Sequence, residues 1–411
     1  MATLGIDIGC ISVKMALVGL PDEAALFDTL ARGGNGVHEG LFLDPAAAGG
    51  VSPAPGTPPL LVTRYRRIKG NPAQAALELL TQIGESLPAG TITGVRMTGT
   101  GSRILADRLG IAFENEFKAI ARAVTTLHPD VRYVFEMGGE TSKFIELDES
   151  SEPGYVGIAD YQTNGDCAAG TGSFMDQQAN RLLYDIEDVG EIVLAAGKAA
   201  TVAGRCSVFA KSDMIHAQQK GYQPPEVLKG LCDAVVRNFR GAIARGKKID
   251  GTVAFIGGVA ANEGATEAMR ATFGLSEDQM FVPTYYAWMG AIGAAMLEAD
   301  KAATNAAESE TSTAAPFHLD LAPLQDLRIT GFPTSPALSM ERVILLRDRV
   351  RTTEQPTVGT LGAVFIALVL YKLGALDHDN PWFDTFRDIL QRALGWRSIF
   401  GIDPNLIPRF R

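Results

Sequence analysis

Two cysteines in this sequence stand in settings that a core cysteine does not need: Cys167 in NGDCAAGTGSF and Cys206 in GRCSVFAKSDMI. Gly, Ser and Thr flank them, and Gly170 and Gly172 lie in the first of these words, which opens a helix. Such small-residue turns leave backbone N–H groups free for an anion or for the sulfides of a cluster. The two cysteines are too far apart for a local CxxC pair, and a zinc knuckle needs four ligands. Two thiolates per chain suffice for a [4Fe–4S] cluster if a two-fold axis doubles them.

A second constellation is acidic and occurs twice. In residues 4–18, LGIDIGCISVKMALV, β-branched residues alternate on both sides of a glycine turn, the pattern of a β-hairpin. Asp7 ends its first strand, and Gly9, Ser12 and Lys14 surround the turn. Turn amides suit a phosphate, and the carboxylate suits the hydration shell of Mg²⁺. Residues 131–147, VRYVFEMGGETSKFIEL, repeat the arrangement, with Glu136 for Asp7, Gly138 and Gly139 in the turn, and Lys143 for Lys14. A plain hairpin with a surface acid accounts for either one alone. Two copies suggest a duplicated fold with a phosphate held between lobes. In a third segment, VAFIGGVAAN, a buried strand ends at Gly257 and Gly258 and a helix opens near Asn262. Paired glycines let backbone approach a flat ring.

The cysteine words resemble the signature of the ATP-dependent activators of 2-hydroxyacyl-CoA dehydratases and of benzoyl-CoA reductase, over about Leu4 to Leu297. The likeness is closest to the amino-terminal ATPase module of the long multidomain members. The doubled hairpins resemble the sugar kinase, Hsp70 and actin superfamily. The resemblance implies an α/β fold of two ribonuclease-H-like lobes with ATP and Mg²⁺ in the cleft. Asp7 and Glu136 would be catalytic, the two turns and their lysines would hold phosphate, and Gly257, Gly258 and Asn262 would face the adenosine. Cys167 and Cys206 would ligate one [4Fe–4S] cluster shared across a homodimer. The implied partners are a ferredoxin or flavodoxin donor and a dehydratase or reductase acceptor, in an oxygen-sensitive protein. Glu136 departs from the Asp that such families usually carry there and is one methylene longer. Two other readings stay open: a small-molecule kinase of the same superfamily, which has no use for the cysteines, and a nonenzymatic nucleotide-binding remnant of a larger polypeptide.

Composition narrows the class. The 411 residues are 46% hydrophobic and 20% charged, ordinary for a globular enzyme. A net charge of −10 argues against nucleic acid and against an anionic membrane surface. Four cysteines without paired spacing make no disulfide framework, and a reducing cytoplasm fits. No basic n-region or apolar h-region follows Met1, so no secretion signal is expected.

The elements that must position these residues follow from spacing. The first lobe is expected over residues 1–128, with a Pro-, Gly- and Ala-rich surface insertion at 21–59, and the second over 129–298, its last helix packing back on the first. Helices are predicted at 71–86, 115–127 and 224–244, the last burying Cys232. The basic run RYRRIKG and Glu116 are expected to face solvent, as are His38 and, on a helix surface, His216. A linker is expected at 299–316, then a tail at 317–411 of unassigned role. Within the tail, residues 355–371 are charge-free for 17 positions but broken by Pro356, Gly359 and Gly362. That is short of the roughly 20 residues a membrane helix needs, so a packed helix is preferred to a span.

Overall fold

Strand β1 (Ala2–Ile8) runs antiparallel to β2 (Ser12–Val18) and is buried along its whole length. The computed structural model describes residues 2–32, 38, 40–43, 49–148, 157–164, 171–203, 206–308 and 321–322. All belong to one unit, Met1–Arg328. Cys167, Gly170, residues 309–320 of the expected linker and tail, and the apolar stretch 355–371 lie outside the described residues.

Around β1 and β2 the first sheet is completed by β3 (Leu60–Val62), β4 (Arg66–Arg67), β5 (Ile92–Thr98) and β6 (Ala112–Phe113). Its order is β3-β2-β1-β5-β6, with β4 also on β2; β2 and β3 are antiparallel additions to β1, while β5 and β6 are parallel. Helices α1 (Ala24–Ala31), α2 (Pro72–Ser86), α3 (Arg103–Leu109) and α4 (Glu116–Leu127) connect these strands and lead out of the sheet. The second sheet comprises β7 (Val131–Met137), β8 (Ser142–Leu147), β9 (Ile158–Thr163), β10 (Thr252–Ile256) and β11 (Met280–Phe281). Its order, β11-β10-β7-β8-β9, read from the other end reproduces the first: two antiparallel strands on one side of the founding strand, two parallel ones on the other. The duplication expected from the two hairpins is thus present as two α/β lobes.

Helices α5 (Gly172–Arg181), α6 (Val189–Ala195), α7 (Ser207–Gln219), α8 (Pro224–Asn238) and α9 (Glu263–Phe273) pack on the second sheet. One π-helical turn at Phe239–Ile243 extends α8. Phe135, Phe144, Phe239 and Phe255 are fully buried there, each burial stabilising by ~1.5–3 kcal/mol. Cys232 is buried on α8, as its apolar spacing predicts. Between the sheets, α4 and α10 (Met289–Glu308), the last described helix, bury Ile120, Val124 and Ile292 against both, with Trp288 just before α10 in the same cluster. Local caps agree with sequence: Asn71 accepts from Gln74 N and Asn115 from Phe117 N.

Three segments differ from expectation. Parts of 21–59 are built into the fold: Phe27 and Leu30 of α1 enter the first core, and Val51 bridges to Pro283 in the second lobe. Three-residue spacing over so short a helix gives little periodic signal. The helix α10 runs through Ala299 to Glu308, into the stretch read as a linker, because its alanines favour helix and Arg122 pairs with Asp300 at 2.8 Å. Leu321, in the expected tail, packs on the first core. No helix among the described residues is long and apolar enough to cross a membrane.

Candidate functional site: a cleft between two acid–lysine hairpins

The two hairpins place the same chemistry at the same register. Asp7 and Lys14 are cross-strand partners on β1 and β2, joined at 2.8 Å; Glu136 and Lys143 are cross-strand partners on β7 and β8, joined at 3.0 Å. Each turn closes alike, Gly9 N donating to the Ser12 carbonyl at 3.0 Å and Gly138 N to that of Thr141 at 2.8 Å. Lys143 also reaches Glu116 at 3.2 Å and the Thr141 hydroxyl at 3.0 Å. Glu116, expected at the surface, therefore stands in the cleft. It is the first residue of α4, and Asn115 caps the helix so that this end faces the second hairpin.

These charges are buried together. Burial pushes Asp7 and Glu136 above the usual carboxylate range, against the pull of Lys14 and Lys143. Burial alone would depress the two lysines, but the adjoining carboxylates outweigh it and hold both above the ordinary lysine value. Both lysines are therefore ammonium groups at neutral pH. Four carboxylates, of Asp7, Glu116, Glu136 and Glu140, face two ammonium groups in a polar compartment of about 70 Å³, which Cys10 and Thr100 also line.

A larger compartment of about 340 Å³ opens from it, sharing Ile11, Tyr65, Gly139 and Tyr286 as common walls. Gly258 lines both compartments, and Gly257 before it lines the polar one. Gly257 has φ of 90°, and a Cβ there would lie 2.5 Å from the Met137 carbonyl oxygen, so only glycine lets β10 turn beside the polar compartment. Asn262 caps α9, its Oδ1 accepting from Ala265 N at 2.9 Å. That bond fixes the amide and leaves Nδ2 buried without a partner; Trp288 Nε1 is likewise without one. Both residues line the larger compartment. Unpaired buried donors are costly unless an acceptor arrives, which suits a compartment built for a polar heterocycle. Gly172 N and Ser173 N, at the start of α5, donate to the carbonyls of Gly138 and Gly139 at 2.9 and 2.8 Å and tie this helix to the turn of the second hairpin.

Of the sequence-predicted residues, Asp7, Gly9, Ser12, Lys14, Glu136, Gly138, Gly139, Lys143, Gly172, Gly257, Gly258 and Asn262 all meet in this cleft. Tyr65 and Arg67, from the run expected to be solvated, and Gly290 are additions that no periodicity pointed to. Cys206 stands apart from it, half-buried at the N-cap of α7 beside exposed Val208 and Phe209. Among the described residues, no group of three or more His, Cys, Asp or Glu side chains is arranged to hold a metal ion.

Known proteins share this organisation. The chain is 30% identical over 189 residues to the (R)-2-hydroxyglutaryl-CoA dehydratase activating ATPase of Acidaminococcus fermentans, covering 46% of this chain and 69% of that protein. It is 30% identical over 182 residues to the activator of lactoyl-CoA dehydratase of Anaerotignum propionicum, covering 44% and 67%. The solved structure of the activator of the 2-hydroxyisocaproyl-CoA dehydratase from Clostridium difficile with bound ADPNP superposes with a TM-score of 0.56 at 23% identity, over 76% of this chain and all of that one. At that identity the superposition shows the fold alone, two α/β lobes like those found here. Residues 4–298 carry the family match, and over that span the chain belongs to the BadF/BadG/BcrA/BcrD ATPase family.

Proposed function

We propose that the chain is a cytoplasmic ATP-hydrolysing activator that passes low-potential electrons to a CoA-thioester dehydratase or reductase. The observation that carries the ATPase part is the pair of register-matched acid–lysine hairpins facing one cleft with a nucleoside-sized compartment beside it. Relatives named as dehydratase activators, one of them solved with ADPNP, support the same reading.

In this reading the triphosphate lies in the polar compartment between the two glycine turns, with Lys14 and Lys143 neutralising phosphate oxygens. Four carboxylates against two ammonium groups leave that compartment acidic, so a triphosphate would be repelled unless it arrives with Mg²⁺. Asp7 and Glu136 would hold the hydration shell of that ion and orient the attacking water, positioning being most of phosphoryl-transfer catalysis. Burial raises both carboxyls toward neutrality, which improves either as a proton acceptor. Gly257, Gly258 and Asn262 would face the adenosine.

Cys206 opens α7, and Cys167 would join it so that two chains of a homodimer hold one [4Fe–4S] cluster. When bound, that cluster supplies one-electron chemistry at low potential. A ferredoxin or flavodoxin would be the donor. About 59 mV corresponds to 1.4 kcal/mol for one electron, so lowering a potential by roughly 300 mV requires about 7 kcal/mol. Lobe closure on a nucleotide can supply free energy of that order.

The experiment is ATP hydrolysis by protein purified without oxygen, alongside its Asp7→Ala variant. Turnover is expected to fall about 10²–10⁴-fold while nucleotide binding changes far less. Undiminished turnover in both Asp7→Ala and Glu136→Ala would remove the assignment.

A further inference from the structure

The two arginines of strand β4 serve different lobes. Arg66 pairs with Glu78 on α2, within its own lobe. Arg67 instead reaches the second lobe, where it hydrogen-bonds Asp176 on α5 and lies 3.7 Å from Glu187, and all three line the larger compartment. Asp176 is prepared for this: its side chain is 22% exposed and its other oxygen accepts from Asn180 Nδ2 at 3.1 Å. Tyr65, next to Arg66 in sequence, lines both compartments from the same side. The pair thus joins the two lobes along the lining of the larger compartment.

We propose that Arg67–Asp176 is a clasp on that compartment and that Arg67 is a positioning residue which sets the rate of nucleotide exchange. The proposal rests on the reading of the cleft as a nucleotide site. Arg67 is bound to carboxylates and not to the phosphate turns, so its release costs the same whether nucleotide enters or leaves. Breaking it should therefore speed both directions, and the ratio of the two rates should move less than either. A half-exposed ion pair is a modest barrier, which fits a gate that must open at every turnover.

The test is stopped-flow binding and release of a fluorescent ATP analogue on the full chain. Arg67→Gln and Asp176→Asn are each expected to raise both the association and the dissociation rate about two- to fivefold. Added salt should speed exchange in the wild type but not in Arg67→Gln. The exchanged pair, Arg67→Asp with Asp176→Arg, should restore the slow rates, which a merely local structural role would not do. Unchanged rates in Arg67→Gln overturn the clasp. So does weaker affinity that comes from dissociation alone and is not restored by the exchanged pair, since Arg67 would then be an ordinary ligand contact. Wild-type protein that takes up no nucleotide overturns the reading of the cleft, and the clasp with it.

Discussion

Gly290 stands against Asp7: a Cβ at position 290 would lie 2.9 Å from Asp7 Oδ2. The N-terminal end of α10 therefore meets the acid that ends β1, where helix N–H groups favour a carboxylate. Gly290→Ala is expected to displace Asp7 and cut ATP turnover at least about tenfold, a misplacement cost well within what positioning contributes. Nucleotide affinity should change less. Steady-state hydrolysis and equilibrium binding measured on one preparation check the difference.

Lys143 is the only ammonium group given to both Glu136 and Glu116 among the described ion pairs. Replacing it by Met leaves two carboxylates in a buried cleft without their cation, and a loss of about 3–5 kcal/mol is expected. Denaturant midpoints read this directly. Adding Glu136→Gln to Lys143→Met should return part of the loss, because one of the stranded charges is gone.

Most of the cleft was legible in the sequence, because hairpin register is local. Once Asp7 and Lys14 flank a glycine turn, pairing places them face to face, and the same holds for Glu136 and Lys143. The Gly257–Gly258 turn was legible for a similar reason, a strand ending in residues that only a close approach requires. Glu116 was not, since nothing local distinguishes a helix-start acid facing solvent from one facing a lysine on another lobe. Arg67 was hidden in the same way: its partner is 109 positions away. The helix at Ala24–Ala31 was obscured by the Pro- and Gly-rich sequence around it, although Phe27 and Leu30 are core residues.

The cysteines separate by environment. Cys232 is buried on α8, and burial pushes its thiol up to about 12, so it is a packing residue. Cys167→Ala and Cys206→Ala are each expected to abolish the visible absorption of anaerobically prepared protein, and Cys232→Ala to leave it. Iron should be about four per dimer. Iron near four per chain, or a coloured Cys167→Ala protein, would sink the shared cluster.

His128 follows α4, packs against Phe281 and is buried, with Nε2 lacking a partner. Burial lowers it from 6.5 to about 4. The unfolded chain thus binds this proton more readily than the folded one between those values. Stability is full above about pH 6.5 and is lost as pH falls toward 4, by about 3 kcal/mol over the window. His128→Gln should flatten this part of the stability profile, and urea unfolding at several pH values between 4 and 7 measures it.

The cover of β1 comes from the far end of the described chain. The Thr3 hydroxyl donates to the Ala295 carbonyl at 2.9 Å, and Arg96 on neighbouring β5 reaches Glu298 at 3.0 Å. On the ribosome, β1 is consequently made well before the helix that covers it. At about 5–20 residues per second, its apolar face waits roughly fifteen seconds to a minute for α10 to emerge. The first lobe is thus expected to mature only after synthesis has passed the second, a late commitment that slows folding.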